Sequence, residues 1–234
     1  MFRFKQFSVD QSGCAMKINT DGVLLGAITE ADDPKTILDI GTGTGVIALM
    51  LAQRFTNAKI DAVEIDTVAA KTAGRNFEAS PFADRLTVYA SDFESYLSGF
   101  LEKKYDLIVS NPPFYIDSLR SPGAKRTLAK HTDVEFFERF VKAVSNHLTP
   151  PGCCWLILPV SIAEIVIELA THHRLYLQKR INVKSYPYSE VHRSIICFGF
   201  DKVSVQIGKL TIYQEVNVYS EEYQHLLQPY FLAF

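Results

Sequence analysis

The spacing of apolar residues changes character along the chain, and each change marks an element. From Lys35 onward, short runs rich in Ile, Val and Leu alternate with longer stretches whose apolar residues recur at helical spacing. The short runs predict strands at 36–41, 59–65, 86–90, 105–110 and 153–158. The longer ones predict helices at 45–55, 67–79, 134–147 and 161–172, with Phe136, Phe137, Phe140, Val141 and Val144 on one face of the third. Strand and helix in strict alternation predict an α/β fold, a mostly parallel sheet with helices on both faces. After residue 173 the rhythm breaks. Segments 174–185, 192–201 and 208–214 all read as strands, followed by a helix at 220–228, so antiparallel pairing is expected at one sheet edge. Segment 115–132 holds Gly, Pro, Ser and basic residues with no sustained period, and it reads as a long loop of the kind that carries function.

With 234 residues, the chain fits one domain spanning 1–234, of which 1–34 precede the first alternating unit. Hydrophobic residues at 47% and charged residues at 21% suit a packed soluble protein. No apolar run reaches membrane-spanning length, and Met1 to Phe7 alternate apolar with polar where a secretion signal would be continuous, so a cytoplasmic location is expected. The four cysteines form no C-x-x-C pair, which points to neither a metal site nor a disulfide framework. A net charge of −2 gives no general attraction to nucleic acid, so any such binding must come from local clusters.

The first chemical signal is the run Leu38-Asp39-Ile40-Gly41-Thr42-Gly43-Thr44-Gly45, which leaves a buried strand and enters a helix. Glycines there permit a sharp turn and let a ligand approach the backbone without a Cβ in the way. Their spacing, G-x-G-x-G, differs from the G-x-G-x-x-G of dinucleotide sites and favours S-adenosylmethionine over NAD. About twenty residues on, Glu64, with Asp66 as second choice, ends the next strand where a ribose would lie. At the end of the third strand, Asp92 could accept from an adenine amine and Phe93 could cover the ring. Singly, Asp39 and Asp92 could equally be helix caps and Phe93 a core residue. As an ordered set at three strand ends they point to a nucleoside.

The fourth strand ends in Ser110-Asn111-Pro112-Pro113-Phe114. The two prolines extend the backbone and remove two N–H donors, leaving carbonyls as an acceptor surface. That surface suits an amine. The Asn111 side-chain oxygen and the Pro112 carbonyl can take both hydrogens of a planar NH2 group, and Phe114 offers a face for stacking a base. Transfer of a methyl group from a sulfonium is an in-line displacement, so alignment is the main catalytic demand.

Asp39 to Gly45, Glu64, Asp92 and Asn111-Pro112-Pro113-Phe114 together resemble the class I amino-methyltransferases that act on planar NH2 groups. Phe4-Lys5-Gln6-Phe7 and the run from Ala15 to Gly26, with the aromatic Tyr230-Phe231 near the end, are similar to the bacterial tRNA(Val) adenine-N6 methyltransferases over nearly the whole chain. The resemblance implies a Rossmann-like, doubly wound, mostly parallel seven-stranded sheet with an antiparallel edge. It also implies S-adenosylmethionine as cofactor, tRNA as partner, and an adenine just 3′ of the anticodon as target. Residues 1–34 would then pack over the cofactor, with Lys17, Thr20 and Asp21 near its methionine moiety.

Two basic clusters could contact phosphates. Arg120, Lys125, Arg126 and Lys130 face only Asp117 as a local acid, and Arg174, Lys179, Arg180, Lys184 and Arg193 face only Glu190. Solvated basic surfaces would look the same. Other planar amines remain open as targets, namely a guanine N2, a DNA adenine or a release-factor glutamine. The last usually needs a helical substrate domain ahead of the glycine run, and 38 residues precede Asp39 here. A nucleotide-binding interaction protein would leave Asn111-Pro112-Pro113-Phe114 unexplained.

Overall fold

The computed structural model describes residues 1–112 and 124–234, and within the second stretch the side chains from 134 onward. Two short strands, β1 (Phe2–Arg3) and β2 (Ser8–Val9), pair with each other ahead of α1 (Thr20–Ile28). The alternating region follows as β3 (Thr36–Ile40), α2 (Val46–Arg54), β4 (Lys59–Glu64), α3 (Thr67–Glu78), β5 (Leu86–Ala90), α4 (Phe93–Ser98), β6 (Tyr105–Ser110), α5 (Ala124–His147), β7 (Leu148–Pro159) and α6 (Val160–His172). The chain closes with β8 (Tyr176–Lys184), β9 (Val191–Gly199), β10 (Gln206–Thr211), β11 (Tyr213–Glu215), β12 (Val218–Tyr219) and α7 (Glu221–Leu227).

The main sheet runs β10-β8-β9-β7-β6-β3-β4-β5. Alternation along each strand feeds two separate cores. Leu107, Val109, Trp155 and Ile157 point to the side covered by α1, α2 and α7, whereas Ile108, Cys154, Leu156 and Leu158 point to the side covered by α4, α5 and α6. Helix α2 is buried from Val46 through Ala52, with α1 packed against it. The two helices meet closely at Gly26, where an added Cβ would come within 2.9 Å of Met50 Sδ. Thus the early segment supplies part of one helical layer of the fold.

Three expectations need correction. The main sheet has eight strands, not seven, because β10 adds to its edge. Strands β7–β9 and β8–β9 are antiparallel as expected, but β10 runs parallel to β8. Segment 115–132 is not loop throughout, since α5 begins at Ala124, ten residues before the helix expected from residue 134. Its first turns carry Lys125, Arg126 and Lys130, polar positions that leave no apolar stripe for a periodicity argument to find. Among the described residues, no helix is long and apolar enough to cross a membrane.

Candidate active site

The parallel strands align their carboxyl ends in one row. Ile40 of β3 sits opposite Ser110 of β6 and Val63 of β4, and Glu64 sits opposite Ala90 of β5. The residues that follow, Gly41, Asn111, Glu64 and Ser91, therefore meet along one edge. Side-chain and main-chain bonds fix that register. The Ser110 hydroxyl donates to the Ile40 carbonyl at 2.7 Å, the Gly41 and Thr42 amides donate to the Val63 carbonyl at 2.8 and 3.1 Å, and the Ser91 amide donates to the Glu64 carbonyl at 3.0 Å. Above this edge lies a cavity of about 600 Å³.

Gly41, Gly43 and Gly45 all have positive φ, at 73°, 57° and 83°. They serve two purposes. A Cβ added at Gly41 or Gly43 would meet nothing within 4 Å and would stand in open space, and both residues line the cavity. A Cβ at Gly45 would come within 2.5 Å of Phe77 Cε1, a buried ring, so this glycine lets helix α3 pack against the start of α2. Glu64 is held at both oxygens, accepting from the Gly43 amide at 2.8 Å and the Asp66 amide at 2.9 Å. Each oxygen keeps a second lone pair for a ligand hydroxyl.

Asp39 lies beneath the glycine loop, fully buried. Its Oδ2 accepts from the Thr42 hydroxyl at 2.6 Å, and Oδ1 has no well-formed hydrogen bond. Burial pushes its pKa up to about 7. The Thr42 hydroxyl and the Ala48 amide oppose that rise, and the Glu64 carboxylate adds to it. Because the folded value lies above the ordinary 3.8, the fold favours the neutral acid. The resulting stabilisation is present below about pH 4 and lost as pH rises towards 7. Asp39→Asn keeps an acceptor for Thr42 and should flatten this dependence. The Tm gap between variant and parent without ligand should widen in the variant's favour from pH 4 to 7; a constant gap would contradict the assignment.

Asp66 caps α3, accepting from the Val68 and Ala69 amides at 2.8 and 3.3 Å, and also borders the cavity. Asp92 likewise caps α4 through the Ser95 amide at 2.8 Å, and hydrogen bonding from the Ser95 hydroxyl and amide holds its pKa below the usual carboxylate value. Phe93 belongs to the core and to the cavity at once. Its ring sits 5.8 Å from those of Phe136 and Phe140, while it contributes to the cavity wall. Cap or core role and a place on the cavity wall thus coexist in these residues.

Asn111 and Pro112 border the cavity, whereas Pro113, Phe114 and Arg120 lie outside the described residues, and of Lys125, Arg126 and Lys130 only the helical backbone is described. The early segment reaches the cavity through Cys14, Ala15 and Met16. Lys17 and Thr20 do not line it, and Asp21 forms a 2.8 Å ion pair with Arg193. Gly22, beside Asp21, packs against Asn111, since a Cβ there would lie 3.9 Å from Asn111 Nδ2. On the opposite wall, Glu135, Phe136 and Arg139 enter from α5, with Arg139 paired to Glu94 at 3.1 Å. Sequence reasoning missed these three, because in the sequence they look like ordinary members of an amphipathic helix. The second basic cluster is largely ion-paired, Lys179 with Glu30 at 2.8 Å and Arg180 with Glu164 at 2.7 Å, while Lys184 ends β8 at the same edge as Asn111.

Comparison with known proteins identifies the family to which the chain belongs. Residues 17–164 match the family model described as methyltransferase small domain. A tRNA1(Val) (adenine(37)-N6)-methyltransferase of Pedobacter heparinus is 46% identical over 100% of this chain and 98% of its own. Its counterpart in Bacteroides fragilis is 41% identical over 99% and 97%. A solved structure of a predicted O-methyltransferase from Agrobacterium tumefaciens superposes with a TM-score of 0.67 over 90% of this chain and 96% of that one, at 16% identity, a likeness of fold alone. With a family model over most of its length and full-length relatives above 40% identity, the chain belongs to the tRNA1(Val) (adenine(37)-N6)-methyltransferase family of methyltransferase small-domain proteins.

Proposed function

We propose that this enzyme methylates the N6 amine of adenine 37 in tRNA1(Val), with S-adenosylmethionine as methyl donor. The observation that carries the reading is the register match that sets Asn111-Pro112 beside the glycine loop, so that an amine-accepting group and a nucleoside-sized cavity share one wall. The cavity fits the donor. Open space in front of Gly41 and Gly43, a doubly anchored Glu64 and the Asp92 carboxylate suit an adenosine, and the cavity is large enough for its amino-acid arm. When bound, S-adenosylmethionine supplies an electrophilic methyl group on a sulfonium.

The chain's own residues do the rest. Asn111 Oδ1 and the Pro112 carbonyl accept the two N6 hydrogens, which turns the nitrogen lone pair out of conjugation and aims it into the cavity. Pro112, having no N–H, offers no competing donor. A preorganised acceptor pair needs no rearrangement during the reaction, and that is where most of the rate gain lies. Ser110, bonded to the Ile40 carbonyl, keeps Asn111 at its height relative to Gly41. Phe114 supplies a stacking face for the flipped base in this reading, and an adenine in a loop is cheaper to extrude than one in a duplex. Residues of the second basic cluster that keep charge on this edge, Lys184 above all, would meet the phosphates.

Glu64→Gln should weaken donor binding about tenfold or more, within the roughly 1–3 kcal/mol lost when a buried donor goes unpaired. The new NH2 group must face either the Gly43 or the Asp66 amide, donor against donor. Calorimetry checks this, and an unchanged Kd would move the ribose contact to Asp66. The function itself is tested by transfer of labelled methyl groups into an unmodified tRNA1(Val) transcript and into one with guanine at position 37. Incorporation into the first alone is expected, and equal incorporation into both would refute the target.

A further inference from the structure

A row of stacked tyrosines runs from the protein interior to the catalytic edge. Tyr223 is buried at 3% exposure, and its ring stacks on Tyr219 at 4.8 Å and 12°. Tyr219 stacks on Tyr213 at 5.0 Å, Tyr213 on Tyr186 at 5.5 Å, and Tyr186 on Tyr188 at 5.4 Å with the rings only 4° from parallel. Tyr188, the last ring, is 78% exposed. The row is built from consecutive pieces of chain that are firmly tied together. The Ser189 amide closes the turn 186–189 onto the Tyr186 carbonyl at 3.0 Å, and Pro187 presets its second position. The Ile212 and Tyr213 amides then bond back to the Lys184 and Ser185 carbonyls at 3.0 and 2.9 Å.

The position of the turn is informative. Both β7 and β8 are antiparallel to β9, so the carboxyl end of β8 lies at the same sheet edge as Asn111. From Asn111 the path is short, through Gly22 to Asp21, across the Asp21–Arg193 ion pair, and along β9 to its first residue, Val191, which pairs with Lys184. A planar, rigidly backed ring face thus stands at the same sheet edge as Asn111, on the turn after a strand three places away, with a lysine at its base.

We infer that Tyr188 is a stacking platform for an unpaired nucleotide of the same RNA whose adenine enters at Asn111. This rests on the reading of the chain as an RNA adenine methyltransferase. An exposed tyrosine alone would mean little. A near-parallel stack that continues into the core is different, because it holds the outer ring still and lowers the entropy lost when a base settles on it. Base-aromatic stacking tolerates any base and is worth about 1–3 kcal/mol, or roughly 5- to 150-fold in affinity. It would hold another nucleotide of the same loop while the adenine is turned out. Proteins would also find this face, but the adjoining Lys184 and the methyl-transfer edge favour a nucleic acid.

Two measurements test it. In the methylation assay, Tyr188→Ala should raise the KM for tRNA about tenfold or more, with the Kd for S-adenosylmethionine at the parent value, and Tyr188→Phe should restore the KM because it keeps the ring. Tyr188→Trp provides a direct probe, since the other tryptophan, Trp155, is buried. Its fluorescence should be quenched by the anticodon stem-loop RNA of tRNA1(Val) and far less by a blunt duplex of the same stem. An unchanged KM in Tyr188→Ala, or equal quenching by both RNAs, would overturn the platform while leaving adenine methylation standing. Absence of methylation by the parent enzyme, with stem-loop quenching retained, would instead overturn the adenine reading and leave RNA stacking in place.

Discussion

Asn111→Ala should lower turnover by about 100-fold or more while S-adenosylmethionine and tRNA bind at close to parent affinity. The side chain is expected to meet the substrate amine chiefly as the lone pair turns towards the methyl carbon, so its loss falls on kcat and not on KM. A loss of this size matches what removal of one preorganised polar partner costs in other active sites, on the order of 10² to 10³ in kcat. The variant should remain folded, because β6 is held at Ser110 by its bond to Ile40 and Asn111 follows the strand end. Single-turnover kinetics with saturating donor would read the effect. A rate within a few-fold of the parent would remove Asn111 from the chemistry.

The glycine loop should give two opposite lesions from two neighbouring residues. Gly43→Val places a branched side chain in open cavity space, so it should abolish measurable donor binding, a loss on the order of 100-fold or more for a crowded pocket, at roughly 1–2 kcal/mol of backbone strain from the positive φ. Gly45→Ala adds only one carbon, but that carbon collides with Phe77 in the core, so it should cost roughly 2–5 kcal/mol of stability from strain and overpacking together. Thermal melts and calorimetry on both variants check the pair. A Gly43 variant that binds normally, or a Gly45 variant as stable as the parent, would mean the loop faces have been exchanged.

The sequence pattern carried the alternating region well, because there local period and global fold agree. Strands β5 and β6 fall at the expected residues, and β3 and β4 end one residue earlier. What it missed has physical causes. Helix α1 is apolar on every side, lying between α2, α7 and the sheet, and a helix without a polar face has no moment to detect. The parallel β10 reaches its place through the connection after β9, and strand patterns alone do not reveal direction. In the site, the glycine spacing could signal a ligand loop but could not separate Gly43, which faces the cavity, from Gly45, which faces Phe77. Asp66 and Asp92 illustrate the limit of assigning one role per residue, since each caps a helix and borders the cavity together. The α5 contribution was illegible because Glu135, Phe136 and Arg139 become neighbours of Asp92 and Glu94 only once the sheet has formed.

The central claim is that Asn111 and the cavity beside it deliver a methyl group to one adenine. Its most direct test is position-resolved nucleoside mapping of tRNA1(Val) from cells lacking the gene, complemented in parallel with the parent sequence and with Asn111→Ala. N6-methyladenosine should vanish at position 37 in the deletion, return with the parent sequence, and stay absent or severely reduced with the variant. Methylation at position 37 that persists in the deletion, or that Asn111→Ala restores in full, would contradict the account.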